Sequence, residues 1–361
     1  MLSHLRRLLP SRLDPRRLRA QKCTLRLPTE LVDMILEYLP PESVVAFVLT
    51  CRVFYSRHFP RPAHLSSSAK ETLLHWLDQD TPSLYFCHDC TRLHSWRRAL
   101  KPAPPCYRGP CRAINSASGH MRESLRTLRW RFNYIKAQLA MNRHLYGPLH
   151  GPPLRRFEEA KSGFDTFHGV SITYSWRARI ISDKLYVRGT TVIRRGKGGD
   201  EISLRAFIDF YGRFLVCGHL QADDGVYSDR GIPVIPELGQ DHSSPGPPFR
   251  QVSGGIRSCS VCYTDYQMEV TLRDPLWYER SSRGRDWVIE VNRWHRLGSC
   301  RSPYDLEWNN LVAMRPENVS VPRSHGCAAG MVRNEWMGQE AGSASLPVEG
   351  TFVSLSGEKG I

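Results

Sequence analysis

The sequence predicts an α+β protein, with a three-helix N-terminal module, then a cysteine-rich region holding one long helix and an antiparallel β-sheet. Three observations carry this. Apolar residues recur at helical spacing through residues 27–59, they recur at steps of four and three through 121–143, and from residue 170 they alternate strictly with polar ones. No long helical pattern lies between the later strand candidates, so parallel crossovers are not needed and an antiparallel sheet is the economical arrangement.

In the first segment Leu31, Val32, Ile35, Leu36 and Leu39 share a helical face, with Glu30, Asp33 and Glu37 among them. Pro40 and Pro41 stop that helix. A second apolar set, Val44, Val45, Phe47 and Val48, leads to Cys51, Phe54 and Tyr55, which reads as one or two short helices folded back on the first. A hairpin of this size is too small to bury all these side chains alone. One reading is an ordinary helical subdomain packed on the rest of the protein.

The residues also support a sharper one. Leu27-Pro28-x-Glu30-Leu31, Ile35-Leu36-x-x-Leu39-Pro40, Ser43-Val44 and Leu49-Thr50-Cys51-Arg52-x-Phe54-Tyr55 stand in order and without a gap. This series resembles the F-box, the module by which substrate receptors dock on the Skp-family adaptor of cullin-RING ubiquitin ligases. The resemblance implies a docking surface built from Pro28, Leu31, Ile35, Leu36, Val44, Val45, Val48 and Phe54. The excess of apolar side chains is then explained, because the adaptor would cover part of them.

The 361 residues, 41% of them hydrophobic, suffice for a sizeable core and for two or three domains. There is no run of about eighteen apolar residues, which excludes a membrane-spanning helix, and no hydrophobic signal-peptide core. The net charge of +15 sits in two windows. Residues 1–22 hold Arg6, Arg7, Arg12, Arg16, Arg17, Arg19 and Lys22 against Asp14, and residues 91–143 hold twelve lysines and arginines against Glu123. The first window is read as a disordered basic leader over residues 1–26; it has some features of an organelle transit peptide, but Pro10 and Pro15 break any long helix there.

After the hairpin, whose module is taken as residues 27–70, a modest helical signal covers 63–77 and then the chain changes character. Cys87 and Cys90 are two residues apart, fifteen residues separate Cys90 from Cys106, and four separate Cys106 from Cys111. That spacing is close to the paired-cysteine pattern of structural zinc sites, with His88 and His94 as alternative ligands. A thioredoxin-like dithiol would need a βαβ frame that is not visible here. Without a secretory signal, eleven cysteines point to reduced thiols and metal ligands, and so to the cytoplasm, the nucleus or both.

Through 121–143, Met121, Leu125, Leu128, Phe132, Ile135 and Leu139 form one apolar stripe of a long helix. Arg122, Arg126, Arg129, Lys136 and Arg143 form a basic stripe beside it. Such a stripe suits an anionic partner, nucleic acid among them, but is equally the solvated face of a core-packed helix. The cysteine-rich segment and this helix occupy residues 84–150.

From Val170 the residues Ile172, Tyr174, Trp176, Ala178 and Ile180 alternate with Ser171, Thr173, Ser175, Arg177 and Arg179, as in a half-buried strand. Further strands are expected at 185–193, 213–220, 268–272 and 287–291. Cys217 and His219, two apart on such a strand, would leave the same face, and Cys259-Ser260-Val261-Cys262 offers a knuckle. Together they make a second candidate zinc set, Cys217, His219, Cys259 and Cys262, with Cys300, His242 and His295 as possible substitutes. An unfilled knuckle beside two buried side chains fits the spacing as well. This β-rich domain is placed at 160–315.

Cys259 to Val270 and Arg293 to Trp308, together with Phe86 to His94, resemble a group of fungal F-box proteins with a cysteine-rich C-terminal region. That resemblance spans roughly residues 27–308 and implies use as a ligase receptor without naming a client. Residues 322–361, rich in Gly and Ser, are expected to be disordered.

Patterns for catalysis are missing. Ser258 precedes Cys259 where a zinc deaminase needs proline, and His219 is not followed by the required glutamate. No Gly-x-Ser-x-Gly elbow or Walker loop occurs, and Gly196-Lys197-Gly198-Gly199 lacks the later glycine of a dinucleotide fingerprint. The expectation is a non-catalytic F-box receptor with structural zinc, which binds a Skp-family adaptor and through it a cullin, and recruits a protein client. The alternative is a basic zinc protein that binds nucleic acid.

Overall fold

The computed structural model describes residues 27–50, 52–58, 65–100, 120–122, 131–195, 201–211, 216–217, 219–220, 238, 249–273, 286–312, 328–338 and 351–352. They fall into two compact units, 27–100 with 142–152 and 120–141 with the residues from 153 onward. Among them no helix is long and apolar enough to cross a membrane.

In the first unit, α1 (Thr29–Tyr38), α2 (Pro41–Leu49) and α3 (Arg52–His58) form the expected three-helix module. Leu39 turns extended ahead of Pro40, as a residue before proline must, and α1 ends there. Pro41 has a second role, since it takes the first turn of α2, where a missing N–H costs nothing. Val32, Val48 and Phe54 make a small core, with Leu36 and Phe47 against it and the Phe47 and Phe54 rings 4.7 Å apart. Arg57 donates to Thr29 Oγ1 at 3.0 Å and His58 Nδ1 lies 3.0 Å from Asp33 Oδ1, which ties α3 back to α1.

The next helix, α4 (Ser67–Asp80), starts where the Ser66 hydroxyl accepts the Ala69 N–H, a few residues later than the apolar pattern suggested. Leu74 packs with Leu84, Phe86 and Leu93 of a hairpin made by β1 (Leu84–Cys87) and β2 (Arg92–Ser95). A single turn, α5 (Trp96–Ala99), follows. Asn142 returns to this unit and donates to the Asp78 carboxylate at 3.1 and 3.2 Å, both side chains being buried.

The long helix expected over 121–143 is corrected. Residues 120–122 are strand β3 (His120–Arg122), paired antiparallel with β4 (Arg131–Asn133), so that Met121 and Phe132 face each other across a ladder. Helix α6 (Tyr134–Tyr146) begins only at Tyr134. The stop is local, because Asn133 Oδ1 accepts the Lys136 N–H at 3.1 Å in the manner of an N-cap. Leu125 and Leu128 lie outside the described residues.

In the second unit a 3₁₀ turn, Leu154–Phe157, leads into the sheet. Its first strands are β5 (Glu159–Asp165), β6 (Val170–Ile181) and β7 (Lys184–Arg195), followed by α7 (Glu201–Tyr211). Then come β8 (Val252–Ser253), β9 (Arg257–Ser258), β10 (Thr264–Arg273), β11 (Asp286–Gly298), α8 (Leu306–Val312), α9 (Met331–Gly338) and β12 (Thr351–Phe352). The strand order is β12-β5-β6-β7-β11-β10-β8, with β9 also on β10. Every pairing is antiparallel except the two-residue contact of β12 with β5.

The alternation read from β6 holds from Val170 through Ile172, Tyr174, Trp176 and Ala178, all buried, and breaks at the strand end, where Ile180 is half-buried and Ile181 is buried. Ser182 and Asp183, with φ of 47° and 56°, form the two-residue left-handed turn that a twisted hairpin prefers. At Gly189 a Cβ would come within 2.6–2.7 Å of the Trp176 ring and the Arg293 guanidinium, so glycine is what lets these two stack at 4.3 Å across β7.

Three expectations fail in this unit. The strand over 213–220 is absent at its described positions, where Cys217 lies in irregular backbone and His219 in a turn. Residues 201–211 form an eleven-residue helix where no long helical pattern was read between the strand candidates; Leu204, Phe207 and Ile208 give it a buried stripe. Residues 331–338, inside the tail expected to be disordered, are helical because Val332 and Trp336 are one turn apart and both fully buried against Ile181, Tyr186 and Trp294.

Candidate docking face and metal centres

Helix α1 carries two apolar faces. Val32 and Leu36, a turn apart, point into the small core with Val48 and Phe54. Leu31, Met34, Ile35 and Tyr38, at steps of three and four, lie on a different side and stay open, at 45%, 55%, 43% and 86% exposure. Leu27 continues that strip and Pro28 is exposed beside it. Four large apolar side chains stand exposed in one row on a ten-residue helix, an apolar surface of the kind that a partner can cover.

The docking set read from the sequence therefore divides. Pro28, Leu31 and Ile35 are exposed, Leu36 and Val44 are half-buried, and Val45, Val48 and Phe54 are buried. Val48 and Phe54 belong to the small core of the module, and Val45 is buried. Met34 and Tyr38 were missed, although their spacing from Leu31 was readable.

The four residues of the second set stand together, although Cys217 and His219 do not lie on a strand. Cys217, His219, Cys259 and Cys262 are all buried, and their four ligand atoms lie within 4.8 Å of one another. The knuckle is closed by backbone, with Cys259 N–H donating to the Thr264 carbonyl at 2.9 Å and Thr264 N–H to the Cys262 carbonyl at 2.8 Å. The Val261 N–H points at Cys259 Sγ from 3.4 Å. Donors on a tetrahedral zinc at about 2.1–2.3 Å stand about 3.4–3.8 Å apart, so the group is of the right size.

The electrostatics support a cation there. Hydrogen bonds from Cys217 and Cys262 hold Cys259 well below the usual thiol range, while burial pushes Cys217 and Cys262 well above it. A divalent ion bound here would stabilise all three as thiolates. Thr264 links this cluster to His295, its hydroxyl lying 3.1 Å from Cys262 Sγ and 2.8 Å from His295 Nδ1. Burial pushes His295 down to about 3, so the ring stays neutral, and it stands outside the group of four ligand atoms that come together. Cys300 is buried elsewhere, its thiol 3.4 Å from the Leu297 carbonyl, and His242 lies outside the described residues.

The first cluster gathers Cys87, Cys90 and His94 within the same limit of 4.8 Å. Cys87 ends β1, Cys90 sits in the turn, and His94 comes back on β2 with Nε2 only 2.9 Å from Cys90 Sγ. Cys106 and Cys111 lie outside the described residues. Of the two alternative ligands read from the sequence, His94 joins this group and His88 does not.

The basic stripe loses its continuous helix. Arg122 is on β3, Arg126 and Arg129 lie outside the described residues, and only Lys136 and Arg143 are on α6. Burial pushes the Lys136 amine down, and Arg143 donates to the Pro148 and Gly151 carbonyls beyond the helix end. Both are engaged by their own chain.

A family model described as F-box domain matches residues 24–57, the three-helix module with the residues just before it. No curated protein matches the chain. No solved structure matches it either.

Proposed function

We propose that this chain, which carries an F-box domain at residues 24–57, is a substrate receptor of an SCF-type cullin-RING ubiquitin ligase. The observation that carries the reading is the outward strip of Leu31, Met34, Ile35 and Tyr38 within that domain. A Skp-family adaptor is the occupant that an F-box domain implies, and it would link the receptor to a cullin. Pro28, Leu36 and Val44 rim the contact, while Val45, Val48 and Phe54 support it from beneath.

The sheet unit is the client-binding half, and the two cysteine clusters hold structural zinc. In the Cys217, His219, Cys259 and Cys262 group four protein donors leave no position for water, so the metal braces the fold and performs no chemistry. Transfer of ubiquitin belongs to the ligase, and the receptor contributes position. Reduced thiols of this kind suit the cytoplasm or nucleus. Nucleic-acid binding through residues 122–143 finds less support, because that stripe is not one helix face.

The test is co-purification with a Skp-family adaptor and cullin, wild type beside Leu31→Asp/Ile35→Asp. The reading expects capture by the wild type and its loss in the variant, with helical content unchanged.

A further inference from the structure

We propose that Glu71, His75 and His88 form a third metal site, distinct from both cysteine clusters, which takes a divalent transition-metal ion of the zinc class and leaves one coordination position open. Glu71 and His75 are one turn apart on α4 and so share a face. His88 reaches the same place from the turn after β1. Their ligand atoms all lie within 4.8 Å of one another.

The geometry converges on a single oxygen. Glu71 Oε1 is 3.9 Å from His75 Nε2 and 4.0 Å from His88 Nδ1. Both separations are too long for hydrogen bonds. They are close to what three donors around one ion require, since zinc distances of about 2.0–2.1 Å at tetrahedral angles put donors about 3.4 Å apart. Closing the gap takes about half an ångström from a carboxylate on a flexible, half-exposed side chain.

The two rings are held for this purpose. Phe86, fully buried, lies 4.4 Å from the His75 ring and 4.7 Å from the His88 ring, and the two imidazoles are 5.5 Å apart. Cys87 and His88 are consecutive yet serve different groups, Cys87 joining Cys90 and His94 while His88 joins α4. The hairpin turn thus stands between two metals. Two imidazoles and one carboxylate suit zinc, cobalt, nickel or ferrous iron and disfavour calcium and magnesium, which prefer oxygen alone. With Glu71 open to solvent, the fourth position falls to water or to a donor from outside the chain.

The experiment uses the full-length protein with its two cysteine clusters loaded with two equivalents of zinc, any further zinc being removed with a mild chelator, and then titrated with Co²⁺, followed by calorimetry and visible absorption. The expected result is one further equivalent of Co²⁺ that shows ligand-field bands without a thiolate charge-transfer band. His75→Ala and His88→Ala should each abolish that uptake, and Glu71→Gln should weaken it at least about tenfold, since even loss of an outer partner costs that much. Glu71 is exposed, so its variant keeps the fold, which the melting transition and retained zinc would verify. The proposal is overturned if the zinc-loaded wild type takes up no extra Co²⁺, if the uptake carries thiolate charge transfer, or if Glu71→Gln binds as tightly as wild type.

Discussion

Helix α1 and helix α9 are of similar length and carry similar apolar residues, but they use them in opposite ways. In α9, Val332 and Trp336 are fully buried on the sheet. In α1 the inward Val32 and Leu36 are matched by an outward row of Leu31, Met34, Ile35 and Tyr38. The sheet unit buries its α9 pair and holds a buried Cys/His group that could take a metal ion, with exposed apolar residues such as Phe167, Ile202 and Tyr304 on separate segments, whereas the N-terminal module leaves a row of them open on one helix. Helix α9 is completed within its own unit, and α1 keeps a face of the kind that a partner can cover.

The comparison breaks most visibly at the metal cluster. Cys259→Ser should cost more than about 4 kcal/mol and lower bound zinc by one equivalent, because it removes a ligand and leaves buried donors without their ion. Denaturant melts with metal analysis would show it. If the variant keeps its zinc and its stability, the sheet unit does not depend on that cluster. Trp336→Ala should lose about 3–5 kcal/mol through the cavity left beneath α9. A smaller loss would mean that α9 is not part of the core. At Gly189→Ala a loss of about 1–3 kcal/mol is expected, since the added carbon meets the Trp176 ring and the Arg293 guanidinium with neither free to move far. At the other extreme, Leu31→Asp/Ile35→Asp should change stability by no more than about 0.5 kcal/mol per site, as exposed positions do. A large destabilisation there would show that the outward face supports the fold.

Much of this contrast was legible in the sequence. The F-box was recognised by resemblance, the alternation of β6 was read from its period, and the spacing of Cys217, His219, Cys259 and Cys262 offered a metal set beside the equal reading of an unfilled knuckle. What could not be read was which of two apolar faces on α1 is spent inside, because Leu31, Val32, Ile35 and Leu36 are chemically alike and only the packing of Val48 and Phe54 separates them. The helix over 121–143 failed because Asn133 caps α6, and residues 131–133 just before it pair with 120–122 as strands, against an apolar period that ran through them. The tail failed for a long-range reason, since Trp336 is helical only by virtue of Trp294 and Tyr186, which lie far back in the chain. The β1–β2 hairpin has strands of four residues, too short for a period to show.

Direct titration of a purified Skp-family adaptor against this protein, wild type and Leu31→Asp/Ile35→Asp in parallel, tests the central claim. The account predicts a saturable complex with the wild type and a loss of at least about a hundredfold in affinity for the variant, the size of removing a buried hot spot of 2–3 kcal/mol. Equal affinity for both, with both folded, would contradict it.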